Sequence, residues 1–203
     1  MIIPAILTNS EKELLSQISQ VKDIVSLVHI DIMDGSITKE KTIDPSLIKK
    51  IDFPSEIHFM CNTPSSYIKD IETNFVKKII VQREINNFEK EMNIFNKKYT
   101  VYVSLDIDTK IDSIKEFKYQ LDGIMLMGVK IGRSGQKFTP SILDKVNEAK
   151  ELTRNLEIDG GITLDNINSC IKMGVRDYAI NSSIYKTKNI KETIEKFNLQ
   201  IAI

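Results

Sequence analysis

The sequence predicts an α/β fold, a (β/α)8 TIM barrel. Three observations lead there. Apolar, β-branched runs of about five residues alternate eight times with amphipathic stretches, and strict alternation demands parallel strands joined by helical crossovers. The chain has 203 residues, room for eight compact repeats near the lower size limit of a closed barrel. The turn after the first run reads Leu7-Thr8-Asn9-Ser10. An open doubly wound sheet would carry a glycine-rich turn there.

The elements follow in order. A strand over 2–7 is succeeded by Thr8-Asn9-Ser10, which offers caps for a helix over 11–22 with Glu11 and Glu13 in its first turn. A strand over 25–31 precedes a helix over 46–51, and a strand over 56–60 precedes a helix over 65–73. Strands over 78–82, 101–106 and 123–127 are followed by helices over 88–96, 111–117 and 140–152. Thr139-Pro140 suggests a cap followed by proline at the first helical position. The strand over 156–159 leads to a helix over 164–173 that Met173-Gly174 terminates. The strand over 177–180 and a helix over 190–197 complete the pattern. No linker, low-complexity tract or charge block interrupts it, so residues 1–203 are expected to form one domain.

Lys+Arg and Asp+Glu both number 28, so no charge imbalance points to nucleic acid or an anionic membrane. No apolar run approaches the ~18 residues of a membrane helix. No basic segment followed by an apolar stretch marks a signal peptide near Met1. Cys61 and Cys170 lack metal or redox spacing and read as small apolar fillers. A cytoplasmic location is the expectation.

The chemistry concentrates in Val28-His29-Ile30-Asp31-Ile32-Met33-Asp34-Gly35. His29 and Asp31, two positions apart, share one face of a strand. Buried strand faces are normally apolar, so two titratable groups side by side are costly without a use. His58 and Asp159 recur in similar runs, and the chain has only two histidines. Gathered from strand ends at the rim where barrel chemistry collects, the four would make a site for a divalent metal. The alternative is four unrelated buried polar residues, each satisfied locally.

With these residues the chain resembles the ribulose-phosphate 3-epimerase family over nearly its full length. The resemblance rests on Pro4-Ala5-Ile6-Leu7, Val28 to Gly35, His58-Phe59-Met60 and Leu126-Met127-Gly128-Val129. It continues through Gly132, Gly135-Gln136, Phe138, Ile158-Asp159-Gly160-Gly161-Ile162 and Ser182-Ser183-Ile184-Tyr185. It implies a barrel of the ribulose-phosphate-binding type with one divalent ion (Zn, Fe, Mn or Co) held by His29, Asp31, His58 and Asp159. It also implies that Asp31 and Asp159 are the acid/base pair. Met33, Met60 and Met127 would surround the reacting carbon, with core filling as the alternative for each. Gly132, Ser134, Gly135, Gly160, Gly161, Asn181 and Ser182 would hold substrate at its phosphate end. A homo-oligomer is a further implication.

Those residue types suit epimerisation beside a ketone. A proton leaves one face and another arrives on the other, which two carboxylates serve better than one. The enediolate formed needs stabilisation, which a Lewis acid at the C2 and C3 oxygens supplies. Methionines would make a dry, polarisable wall. Backbone N–H groups at Gly160-Gly161 and after Asn181 could cradle a phosphate without a cation.

Several positions depart from the family pattern. Ala5 replaces a serine, Gln82 a histidine and Asn181 a glycine. Lys130-Ile131-Gly132-Arg133-Ser134-Gly135-Gln136 replaces an Asn-Pro-Gly-Phe-Gly-Gly-Gln loop, and Ser36 to Glu40 replaces an aromatic, proline-containing lid. Lys130 and Arg133 are expected either to offer charge to a phosphate or a second anionic group, or, as loop residues, to be solvated. The departures spare the acid/base pair and fall on parts that measure substrate. The leading expectation is a 3-epimerase interconverting D-ribulose 5-phosphate and D-xylulose 5-phosphate. Alternatives are the same reaction on a tetrulose, another pentulose or a hexulose phosphate, and a non-catalytic sugar-phosphate-binding barrel. A related lyase or decarboxylase would need an Asp-x-Lys-x-x-Asp string, and Asp31-Ile32-Met33-Asp34 has no lysine.

Overall fold

The computed structural model describes residues 1–133 and 135–202. Eight parallel strands close in sequence order: β1 (Ile2–Ile6), β2 (Val28–Met33), β3 (Ser55–Met60), β4 (Val76–Gln82), β5 (Thr100–Leu105), β6 (Gly123–Met127), β7 (Leu156–Asp159) and β8 (Asp177–Ile180). β8 pairs back onto β1 through Ile3↔Ala179, which closes the barrel and leaves no open edge. The α-helices are α1 (Glu11–Val21), α2 (Phe88–Phe95), α3 (Ile142–Lys150), α4 (Ile167–Lys172), α5 (Ser182–Tyr185) and α6 (Ile190–Ile201). The barrel expected from the alternation is the fold observed. Among the described residues, no helix is long and apolar enough to cross a membrane.

Alternation along the strands sorts two cores. Ile30, Ile32, Ile57, Phe59, Ile79, Val81 and Ile158 point outward and pack with Leu14, Met92, Phe95, Val146 and Phe197 from the helices. The opposite face looks into the barrel. There Ile80, Tyr102, Met125 and Met127 make a small apolar cluster. Beside it the interior carries polar side chains, with His29, Asp31, Glu56, His58, Gln82 and Glu157 all buried. Both cysteines are buried and unpaired, as expected of fillers.

Local boundaries differ from expectation for identifiable reasons. β2 begins at Val28 rather than residue 25, because Val25 N–H still bonds Val21 O at the end of α1. His29 is therefore the second residue of its strand, and Asp31 and His58 also lie inside their strands rather than at the ends. Three expected α-helices are 3-10 segments, Pro45–Lys50, Pro64–Tyr67 and Ile111–Gln120. The second stops early in a stretch rich in Ser, Thr, Asp and β-branched residues, all weak helix formers. α3 starts after Ser141 rather than Thr139, without a side-chain cap, since Ile142 N–H and Leu143 N–H bond Thr139 O and Pro140 O in a tight turn first. Ser10 does cap α1, accepting from Glu13 N–H. Gly174, at φ 89°, ends α4 as anticipated.

Candidate active site

Strand register sets the site. Asp31 lies opposite His58, and His29 lies opposite Glu56, all on the inward face of β2 and β3. His29 Nε2 is 3.2 Å and His58 Nδ1 3.0 Å from the same atom, Asp31 Oδ1. Asp159 enters from the end of β7. One donor atom from each of His29, Asp31, His58 and Asp159 lies within 4.8 Å of the others, a spacing that one metal ion could span. The four residues singled out in the sequence are thus brought together. Both imidazoles are fully buried, while Asp31 and Asp159 keep 4% and 8% exposure, so the carboxylates are the members open to the cavity above.

The two carboxylates are electrostatically unlike. Burial pushes Asp159 up to about 7, and the neighbouring charge of Asp31 adds to the rise. Burial acts on Asp31 in the same direction, but His29 and His58 outweigh it and hold Asp31 well below the usual carboxylate range. For His29 the penalty of burial is overcome by Asp31, Glu157 and Glu56, and its pKa rises. A pair of acids separated in this way is suited to divided acid and base roles.

A layer below, the structure shows residues that the sequence reading passed over. Glu56 Oε1 is 2.7 Å from His29 Nδ1. Lys78 Nζ sits 2.6 Å from Glu56 Oε2 and 2.7 Å from Glu157 Oε2, 4.2 Å above the Tyr102 ring. Burial and the charge of Glu157 push Glu56 up to about 7. Glu157, although buried, is held low by Lys78 and His29. The signal was available: Glu56 and Glu157 each stand two residues before a candidate ligand, on the same strand face.

The cavity above is lined by Asp31, Asp159, Met60, Met127, Gly132, Gly135, Gly160, Gly161, Asn181 and Ser182, and also by Ala5 and Arg133. Met33 was expected among them but does not line it. Its Sδ instead accepts from Thr38 Oγ1 at 3.4 Å. Ser134 lies outside the described residues. Gly160 and Gly161 have φ of 99° and 71°, and a Cβ at Gly161 would stand 2.6 Å from Phe138 N. Only glycine fits that turn without strain. Asn181 Nδ2 donates to Ala5 O at 2.7 Å, so two of the departing positions are joined to each other. Neither loop cation is free: Lys130 Nζ pairs with Asp106 at 2.7 Å and Asp108 at 2.8 Å, and Arg133 Nε pairs with Glu40 at 3.0 Å. Arg133 and Glu40 tie the loop after β6 to the loop after β2.

Comparisons with known proteins bear on the family and the fold. Residues 1–185 match the model of the ribulose-phosphate 3 epimerase family. A ribulose-phosphate 3-epimerase of Chlamydia muridarum is 30% identical over 186 residues, covering 83% of this chain and 81% of the relative. One from Bacillus subtilis is 26% identical over 209 residues, covering 96% of each. Among solved structures, KGPDC from Streptococcus mutans superposes with a TM-score of 0.75 at 14% identity, covering 99% of this chain and 96% of that one. The 3-hexulose-6-phosphate synthase of Salmonella typhimurium also gives 0.75, at 12% identity, covering 99% and 98%. At such identities the structural likeness speaks for the fold alone, whereas the sequence match over most of the length decides the family. The chain belongs to the ribulose-phosphate 3-epimerase family.

Proposed function

We propose that the protein is a metal-dependent 3-epimerase of a ketose phosphate, with D-ribulose 5-phosphate and D-xylulose 5-phosphate as its substrate pair. The observation that carries this reading is the pairing of Asp31 with Asp159: two buried carboxylates of opposite proton affinity open to one cavity beside two inward-facing imidazoles. The donor set of two histidines and two aspartates, all within 4.8 Å, fits a borderline divalent cation such as Zn²⁺, Fe²⁺, Mn²⁺ or Co²⁺. Bound there, the ion would supply Lewis-acid stabilisation to the oxygens flanking the reacting carbon.

The chain's own groups divide the remaining work. Asp31 and Asp159 serve opposite faces of the reacting carbon: one takes the proton from C3, and the other delivers one to the opposite face. The roles exchange in the reverse direction. Met60 and Met127 wall the cavity with polarisable apolar surface that keeps water from the carbanionic carbon. The Gly160-Gly161 turn and the backbone at Ser182 offer N–H groups to the phosphate.

A second reading keeps the reaction and changes the sugar. It is favoured by the cavity lining, where Asn181 donates to Ala5 O and Arg133 is paired with Glu40. A panel of tetrulose, pentulose and hexulose phosphates followed by proton NMR separates the two. Fastest turnover of ribulose 5-phosphate is the expected result. Faster turnover of another ketose phosphate selects the second reading, and no turnover of any would refute both and leave a binding protein.

A further inference from the structure

Gln82, the last residue of β4, is fully buried beside the candidate ligands, yet it does not line the cavity. Its Oε1 is 2.9 Å from His58 Nε2, and its Nε2 is 2.5 Å from Glu84 Oε2. The other oxygen of Glu84 accepts from Asp106 N–H at 3.1 Å. A carboxylate only accepts hydrogen bonds, so Glu84 requires the NH₂ end of the Gln82 amide to face it. The amide oxygen must then face His58, and an oxygen there requires hydrogen on Nε2. In the neutral ring this leaves the Nδ1 lone pair pointing at Asp31 Oδ1, 3.0 Å away. Two acceptors opposed at that distance are relieved by a cation placed between them and their neighbours.

We propose that Gln82 and Glu84 form a positioning relay that fixes the tautomer of His58, aiming a lone pair on Nδ1 into the His29–Asp31–His58–Asp159 cluster. The outer partner of a ligating imidazole normally decides which nitrogen is available to a metal. Here the chain runs through three side chains, His58, Gln82 and Glu84, and the terminal carboxylate sets the direction of every link. Neither Gln82 nor Glu84 touches substrate in this scheme. The inference rests on the metal reading of the site for its purpose, but the tautomer itself is a property of the metal-free protein.

The test uses ¹⁵N-histidine-labelled protein, stripped of metal, with spectra recorded as pH is raised. With only two histidines in the chain, a His29→Gln variant assigns the spectrum. Long-range ¹H–¹⁵N correlation is expected to show hydrogen on Nε2 and a pyridine-type Nδ1 for His58. Glu84→Gln gives the relay a donor at its end and lets the Gln82 amide turn, moving hydrogen toward Nδ1. Gln82→Met removes the acceptor and should do the same. Zinc affinity, read by competition with a chromophoric chelator, is expected to weaken by about 10–100-fold in both variants. Hydrogen on Nδ1 with a bare Nε2 in wild-type His58 overturns the proposal, as do variants whose tautomer and zinc affinity match wild type. The wild-type spectrum decides even if a variant fails to fold. A wild-type protein with the expected tautomer that takes up no zinc would sink the metal reading and leave the relay standing.

Discussion

Replacing Lys78 by methionine tests the polar layer on which the site is built. The ammonium lies within 2.7 Å of both Glu56 and Glu157 and over the Tyr102 ring, inside the barrel. Methionine matches its length and leaves two buried carboxylates facing each other. Removing one partner of such a buried arrangement costs roughly 3–5 kcal/mol. For a chain of this size that corresponds to a fall in Tm of roughly 10 °C. The cost must depend on pH, and the sign follows from the shifts. In wild type, Lys78 and His29 depress Glu157, a contribution present above its unfolded pKa and lost as pH falls. In the variant both carboxyls are raised, so native protein binds protons more tightly than unfolded chain and loses stability as pH rises. Glu56, already at about 7 with Lys78 present, takes up the first proton. The gap between wild type and Lys78→Met should therefore be largest near pH 8 and shrink toward pH 6. Urea unfolding at both values measures it. A gap below about 1 kcal/mol at pH 8, or one that widens on acidification, refutes the reasoning.

Other expected outcomes concern the site itself. Asp31→Asn and Asp159→Asn should each lower turnover by ~10³-fold or more, since each removes an acid/base group and a candidate ligand; near-normal steady-state rates in either would refute the roles. His58→Ala should retain less metal than wild type after dialysis against a mild chelator, as measured by elemental analysis; equal retention counts against ligation. Asp159 titrates at about 7 in the metal-free protein and must lose its proton to ligate. Apparent zinc affinity should consequently fall as pH drops through 7, with the raised His29 adding to the loss, and calorimetry showing the opposite slope would contradict this.

The strands were legible because β-branched runs of the right length carry their own signature, and the four donors because titratable residues break that signature on an inward face. Depth was harder to read. His29 reads as the end of a run, yet a turn at Val25 delays β2 and leaves it near the start. Glu56 and Glu157 resembled ordinary strand polar residues, since their partner Lys78 arrives from a third strand and closure of the barrel brings the three together. The partners of the loop cations were hidden for the same reason. Arg133 meets Glu40 across 93 positions of sequence, a distance that local pattern does not span. Helix type was lost at Pro64–Tyr67, where weak formers settle for i→i+3 bonding.

The most direct test of two aspartates acting through a metal-supported site is the fate of the C3 hydrogen in D₂O. Protein stripped of metal, then reloaded with one equivalent of zinc, is given D-ribulose 5-phosphate and followed by proton NMR. Turnover is expected only after reloading, with xylulose 5-phosphate carrying deuterium at C3 because the delivering acid exchanges with solvent. Product that keeps its original hydrogen, or stripped protein working at the full rate, would contradict the account.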